Sequence, residues 1–243
     1  MSFLSLITVR TASTRLPNKC LLPFGDGNVL EHIIRRSLHY NLSPIVCTTV
    51  DSSDDVIQEI SDRENTPCFR GSIQNKLKRW LDCCNYFNIE KFHTVDADDP
   101  FFDGELMKQS MRMLRQGYDV ICPTESSSAG NASVGYSLTK EVIEKALKSV
   151  AETTDTEMMW YYLDKIPGIQ KVILPEKNQP SRIIRLTLDY EEDYWLLRTI
   201  QRILGNFASR KEVNDLFKRN PELYQINWFR NEEWDQGQLA KKI

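Results

Sequence analysis

Apolar and polar positions along the first two-thirds of the chain follow two rhythms. Short β-branched or aromatic runs at Phe3 to Val9, Pro44 to Thr49, Lys91 to Val95 and Asp119 to Cys122 read as strands, since such side chains fit a pleated, half-buried surface. Between them, Val29 to Tyr40, Ser53 to Arg63, Ile73 to Phe87 and Gly104 to Gln116 carry apolar residues at helical spacing. Strands alternating with helices predict a largely parallel sheet covered on both faces, a three-layer α/β/α sandwich. Farther on, the small polar residues of Glu125 to Asn131 read as a flexible connection before a strand at Ser133 to Leu138 and a helix from Thr139. Two more strands, Gln170 to Leu174 and Arg182 to Leu188, precede a helix from Glu191 to Leu204 and a polar helical tail from Ser209. A single domain over 1–243 is expected, with the stretch from 205 as a helical extension.

Composition narrows the class of partner. The 31 basic and 34 acidic residues leave a net charge of −3, which argues against a nucleic-acid or anionic-membrane binder and makes any phosphate site a local cluster of cations. The first apolar run is interrupted by Ser5 and Thr8 and closed by Arg10, far short of a spanning helix. The cysteines at 20, 47, 68, 83, 84 and 122 show no C-x-x-C spacing, so reduced thiols in a soluble, cytoplasmic protein are expected. Three histidines, His32, His39 and His93, leave little material for a histidine-rich zinc site.

Four stretches can carry chemistry. Residues 10–19, Arg-Thr-Ala-Ser-Thr-Arg-Leu-Pro-Asn-Lys, follow a strand directly, where ligands sit in open α/β sheets. Arg10, Arg15 and Lys19, with Ser13 as a further donor, suit a polyphosphate; the bland reading is a solvated connector. At the end of another strand, Asp96 and Asp98 share one face and repel each other unless a cation intervenes, which suits magnesium with substrate phosphates and waters. Against this, Asp99 or Asp103 could serve only to cap the following helix. Asp189 also follows a strand and could bring a second carboxylate to one ion, although Asp189 to Asp193 equally suits the dipole at a helix start. Arg70 and Ser72 precede the helix bearing Lys76, Lys78, Arg79 and Trp80; Ser72 suits its N-cap, and Arg70 can reach a nucleotide. The run Asp51 to Asp55 reads as first-turn decoration.

Together these motifs resemble the cytidylyltransferase family that includes CMP-Kdo synthetases, CMP-acylneuraminate synthetases and a spore-coat polysaccharide branch. Residues 10–19 are similar to its R-x-x-S-T-R-L-P-G-K signature, with Asn18 where glycine is usual; F-R-G-S at 69–72 resembles the spore-coat branch. Asp98 falls at the metal-binding aspartate, and Asp189 at the aspartate of D-x-P-E-D, with Tyr190-Glu191 replacing the usual residue and proline. The resemblance implies a mixed-sheet nucleotide-diphosphosugar-transferase (GT-A-like) fold, CTP as donor, magnesium on Asp98 and Asp189, an acidic sugar or related metabolite as acceptor in cell-surface glycan synthesis, and a homodimer. In that reading Arg10, Ser13, Arg15, Lys19, Arg70 and Ser72 bind the nucleotide. Arg10 and Lys19 stabilise the transition state, and Asp96 assists with metal or acceptor. The alternatives are a metal-dependent glycosyltransferase using Asp96-Ala97-Asp98 as D-x-D, and an inactive member acting as a scaffold.

Overall fold

The computed structural model describes residues 3–177, 184–233 and 236. Strand β1 (Phe3–Thr8) leads through the cationic loop into a short hairpin, β2 (Pro23–Phe24) and β3 (Gly27–Asn28), and then α1 (Val29–His39). Next come β4 (Leu42–Thr49), α2 (Asp55–Arg63), β5 (Cys68–Gly71), α3 (Lys76–Phe87), β6 (Lys91–Asp96) and α4 (Gly104–Leu114). The second half runs β7 (Val120–Cys122), α5 (Glu125–Ser128), β8 (Ser137–Thr139), α6 (Lys140–Leu147), α7 (Met159–Leu163), β9 (Lys171–Ile173), α8 (Glu191–Leu204) and α9 (Arg210–Arg219).

The main sheet has the order β5-β4-β1-β6-β8-β7-β9. Strands β5, β4, β1 and β6 are parallel neighbours, whereas β8 lies antiparallel to both β6 and β7. Period-two alternation decides which face each side chain joins. Ile7, Val46 and Val95 enter one core with α1, α4 and α8; Leu6, Ile45 and Phe92 enter the other with α3, α6 and α7. This is the expected α/β/α sandwich with a mixed, mostly parallel sheet. Among the described residues no helix is long and apolar enough to cross a membrane.

Several expectations need correction. Of the strand read at Ser133 to Leu138, only its end is laddered, as Ser137–Thr139, because Gly135 turns the chain at φ +70° with no room for a Cβ, which would lie 2.1 Å from the Thr94 oxygen. The stretch Glu125 to Asn131 is not merely a connection: Thr124 caps the short helix α5. Of the strand read at Arg182 to Leu188, residues 182 and 183 lie outside the described part, and 184–189 form no ladder. Their amides bond singly instead, Ile184 to the Asn131 side chain, Leu186 to Gly130 O at 2.9 Å and Leu188 to Asp98 O at 2.7 Å. Helix α3 begins at Lys76 rather than Ile73, with Asn75 and not Ser72 as N-cap, because Asn75 accepts from the Lys78 amide at 2.8 Å.

Candidate functional site

The crossover order opens a crevice at the carboxyl ends of β1 and β6. After β1 the chain builds β4 and β5 on one side and returns to lay β6 on the other, the reversal at which ligands bind in open α/β sheets. Thr8 stands opposite Asp96 in the parallel register, and the Ala97 amide donates to Thr8 O at 3.1 Å. The cationic loop and the Asp96–Asp99 turn therefore leave the sheet at one level.

Residues far away in sequence pin the loop. Asp54, 1% exposed, accepts from the Thr11 amide and hydroxyl, both at 2.8 Å, and from the Thr49 hydroxyl at 2.5 Å. The reading of Asp51 to Asp55 as first-turn decoration is right for Asp51, which accepts from the Ser53 amide, and misses this tether. Asn18, where the signature that the loop resembles has glycine, adopts φ 56° and ψ 26°, a left-handed conformation that asparagine tolerates better than most residues, so the turn can form with asparagine there. Ser13 Oγ accepts from the Leu16 amide at 3.4 Å and steadies the bend.

Lys19 is delivered into the centre of the site. Its Nζ donates to Asp98 Oδ2 at 2.7 Å, Leu188 O at 2.8 Å and Asp189 Oδ1 at 3.0 Å. Arg15 also reaches Asp189 Oδ1, at 2.6 Å, and the buried Arg185 lies 3.4 Å from Asp189 Oδ2. Burial alone would raise the Asp189 carboxyl, but Lys19 and Arg15 hold it down at about 2. Burial opposes the Lys19 charge as well, and Asp98 and Asp189 reverse that and raise its pKa. Burial raises the Asp98 carboxyl, with Lys19 opposing the rise and Asp189 and Asp96 adding to it; burial raises Asp99 as well, reinforced by Asp98 and Asp96. Helix capping does not account for these residues, since Asp103 caps α4 by accepting from the Glu105 and Leu106 amides.

Arg10, Ser13, Arg15, Lys19, Asp96 and Asp98 all line one cleft of about 260 Å³. Arg15, Asp96, Asp98 and Asp189 also line a second of about 280 Å³, with Ser127, Asn131 and Thr187 opposite. Asp96 and Asp98 therefore stand between two compartments, one rich in cations and the other in carboxylates and hydroxyl groups. Arg70 and Ser72, expected in the nucleotide pocket, do not line this cleft. Arg70 is held by Thr49 O at 2.9 Å, Asp51 O at 2.8 Å and Asp55 at 2.7 Å, and Ser72 faces a separate groove beside Val50 and Lys78.

Four site residues escaped sequence reasoning: Asp54, Lys76, Arg79 and Glu157. Lys76 is 5% exposed and bonds Asp96 Oδ1 at 3.1 Å, while Glu157 bridges Lys76 at 3.4 Å and Arg10 at 3.5 Å. A signal existed for two of them: Lys76 and Arg79 fall on the same helical stripe as Trp80 and Cys83, which form core. Cations inside an apolar stripe mark a site or a buried pair.

Among the described residues no three acidic, histidine or cysteine side chains cluster for a metal, so the residues offer the Asp98–Asp189 pair, now spanned by the Lys19 ammonium. Two carboxylates completed by phosphate oxygens and water suit magnesium, which retains several waters when bound to protein.

Comparison with known proteins finds relatives over most of the chain. The chain is 28% identical to the uncharacterized protein MJ1063 of Methanocaldococcus jannaschii, over 93% of this chain and 95% of the relative. It is 26% identical to the spore coat polysaccharide biosynthesis protein SpsF of Bacillus subtilis, over 90% of this chain and 95% of that protein. A solved cytidylyltransferase from Leptospira borgpetersenii serovar Hardjo-bovis superposes with a TM-score of 0.80 at 25% identity, covering 93% of this chain and 98% of that one. The cytidylyltransferase family model matches residues 4–158, which span β1, the cationic loop and the Asp96–Asp99 turn. The chain belongs to the cytidylyltransferase family and is a nucleotidyltransferase.

Proposed function

We propose that the protein transfers CMP from CTP to a hydroxyl of an acidic sugar or related metabolite, releasing pyrophosphate, in the synthesis of a cell-surface glycan. The observation that carries this reading is Lys19 bonded at once to Asp98 at 2.7 Å and Asp189 at 3.0 Å, which joins the cationic loop to the carboxylates in one cleft. The glycan context rests on the similarity to the spore-coat protein.

Arg10, Arg15 and the amides around Ser13 hold the triphosphate, and Lys19 neutralises charge that builds on the leaving pyrophosphate. The acceptor occupies the second compartment among Ser127, Asn131 and Thr187. Its oxygen bonds to the α-phosphorus, the bond to pyrophosphate breaks, and the hydroxyl proton passes to Asp96, which faces both compartments. Magnesium held by Asp98 and Asp189 would supply charge neutralisation at the phosphate oxygens. A D-x-D glycosyltransferase has no need of three loop cations in the cleft of its aspartates, because its donor carries less phosphate charge.

The test is pyrophosphate release from each of the four nucleoside triphosphates, with magnesium, against 3-deoxy-manno-octulosonate, nonulosonates, and sugar or alditol phosphates. CTP-dependent release with one acceptor class supports the reading. A requirement for a sugar nucleotide replaces it with glycosyl transfer, and CTP binding without turnover on any acceptor replaces it with a scaffold.

A further inference from the structure

The second compartment, where the transfer reading places the acceptor, is acidic. Among the described residues its lining holds five carboxylates and two cations, Arg15 and Lys76. Both cations are already paired. Arg15 lies 2.6 Å from Asp189, and Lys76 bonds Asp96 at 3.1 Å and lies 3.4 Å from Glu157. Asp98 takes Lys19, which lines the first cleft. Asp99 is left over: it is half-buried, its carboxyl accepts from the Ser133 side chain, and no described cation lies within salt-bridge reach of it. Binding of the nucleotide deepens the imbalance. Arg10 reaches Glu157 at 3.5 Å but belongs to the first cleft, so a triphosphate there draws it away and leaves Asp96 and Glu157 to share the Lys76 ammonium.

The same compartment holds a donor with no acceptor. Asn131 is 4% exposed, its Oδ1 accepts from the Ile184 amide at 2.8 Å, which fixes the orientation of the side-chain amide, and its Nδ2 has no partner. A buried N–H left without a bond is costly, and Asn131 lines the compartment, so a ligand oxygen is the group that fits it. A ligand bearing oxygens alone satisfies Asn131 but leaves the charge of Asp99 uncompensated. A carboxylate or phosphate on the acceptor finds no uncommitted cation in this compartment. An alkylammonium supplies both charge and donors, and its bond to a carboxylate is stronger than that of a neutral hydroxyl.

We infer that the acceptor is an amino-bearing polyol, whose ammonium donates to Asp99, whose hydroxyl oxygen accepts from Asn131, and which keeps a further hydroxyl for the α-phosphorus. The amine stays protonated and takes no part in the bonds made and broken. The inference rests on the cytidylyl-transfer reading and narrows its acceptor to aminated members of the class.

The experiment uses three probes that share one six-carbon skeleton and differ in the terminal group: glucamine, a cation; sorbitol, neutral; and gluconate, an anion. Each is titrated by calorimetry into the full chain with CMP bound, at about pH 7, where an alkyl amine is protonated, and at both low and saturating magnesium. Glucamine binds about 10-fold or more tighter than sorbitol, and gluconate binds no better than sorbitol. In Asp99→Asn the preference for glucamine falls below about 3-fold while sorbitol is unchanged, because the charge has gone and the shape has not. The wild-type order stands by itself should that variant fail to fold. No detectable binding of glucamine, sorbitol or gluconate binding as tightly as glucamine, or a preference that survives in folded Asp99→Asn overturns the inference. So does a preference that vanishes as magnesium saturates, since the spare negative charge then belongs to the metal. Pyrophosphate release with acceptors that lack an amine and none with aminated ones overturns this inference and leaves the transfer reading standing. A glucamine preference that depends on Asp99, in a protein that releases no pyrophosphate with any acceptor, does the reverse.

Discussion

Replacing Lys19 by methionine keeps an unbranched stem and deletes the ammonium that spans the two carboxylates. Three hydrogen bonds disappear, at 2.7, 2.8 and 3.0 Å. Asp189 keeps Arg15 at 2.6 Å and Arg185 at 3.4 Å, whereas Asp98 has no other cation within salt-bridge reach among the described residues. Breaking a buried ion pair costs about 3 to 5 kcal/mol. The Asp98 side chain retains 29% exposure, so water offsets part of that, and a loss of about 2 to 3 kcal/mol is expected. Turnover should fall about a hundredfold or more, the usual effect of removing one transition-state contact.

The pH dependence of this variant separates the charge argument from simple loss of packing. The Asp98 carboxyl is already raised by desolvation, and without Lys19 it rises further. An acid whose folded pKa is raised penalises the native state while ionised and is relieved by protonation. The stability gap between wild type and variant should therefore narrow from about pH 8 to about pH 5. Urea melts across that range and pyrophosphate release at saturating CTP provide the readouts. Turnover within about threefold of wild type, or a gap that does not change with pH, refutes the reasoning.

Other perturbations probe the scaffold. Asp54→Ala strips the acceptor from Thr11 and Thr49 and leaves buried donors unpaired; a stability loss of about 3 kcal/mol and a raised KM for CTP are expected, measured by urea melts and steady-state kinetics. Gly135→Ala places a Cβ 2.1 Å from the Thr94 oxygen at φ +70°, so no soluble folded protein, or a loss above about 3 kcal/mol, should appear in expression trials and melts. Burial pushes His32 and His93 down to about 4. The unfolded histidines, near about 6.5, take up protons that the native state refuses, so stability is full above about pH 6.5 and is lost as pH falls toward about 4. Urea midpoints should trace that slope, and His93→Gln should flatten it.

Much of the sandwich was legible because burial imposes a local period. Alternation placed Ile7 and Leu6 on opposite faces of β1, and the helical spacing in 29–40 and 104–116 marked α1 and α4 within two residues. Misreadings fell where a distant partner decides the local state. The apolar run ending at Leu188 resembles a strand, yet its amides bond Gly130 and Asp98 one at a time. Ser72 resembles an N-cap, but Asn75 takes that place.

The candidate site divides in the same way. Chain order alone showed a cation-rich loop after one strand and aspartates after two later segments, and charge density made them candidates. Only the folded sheet brings Lys19 to residues 79 and 170 positions away, and only it removes Arg70 and Ser72 from the cleft while admitting Lys76 and Arg79. The physical reason is range. Hydrophobic periodicity acts over neighbouring turns and can be read residue by residue, whereas ion pairing and desolvation depend on which strand ends the topology sets side by side.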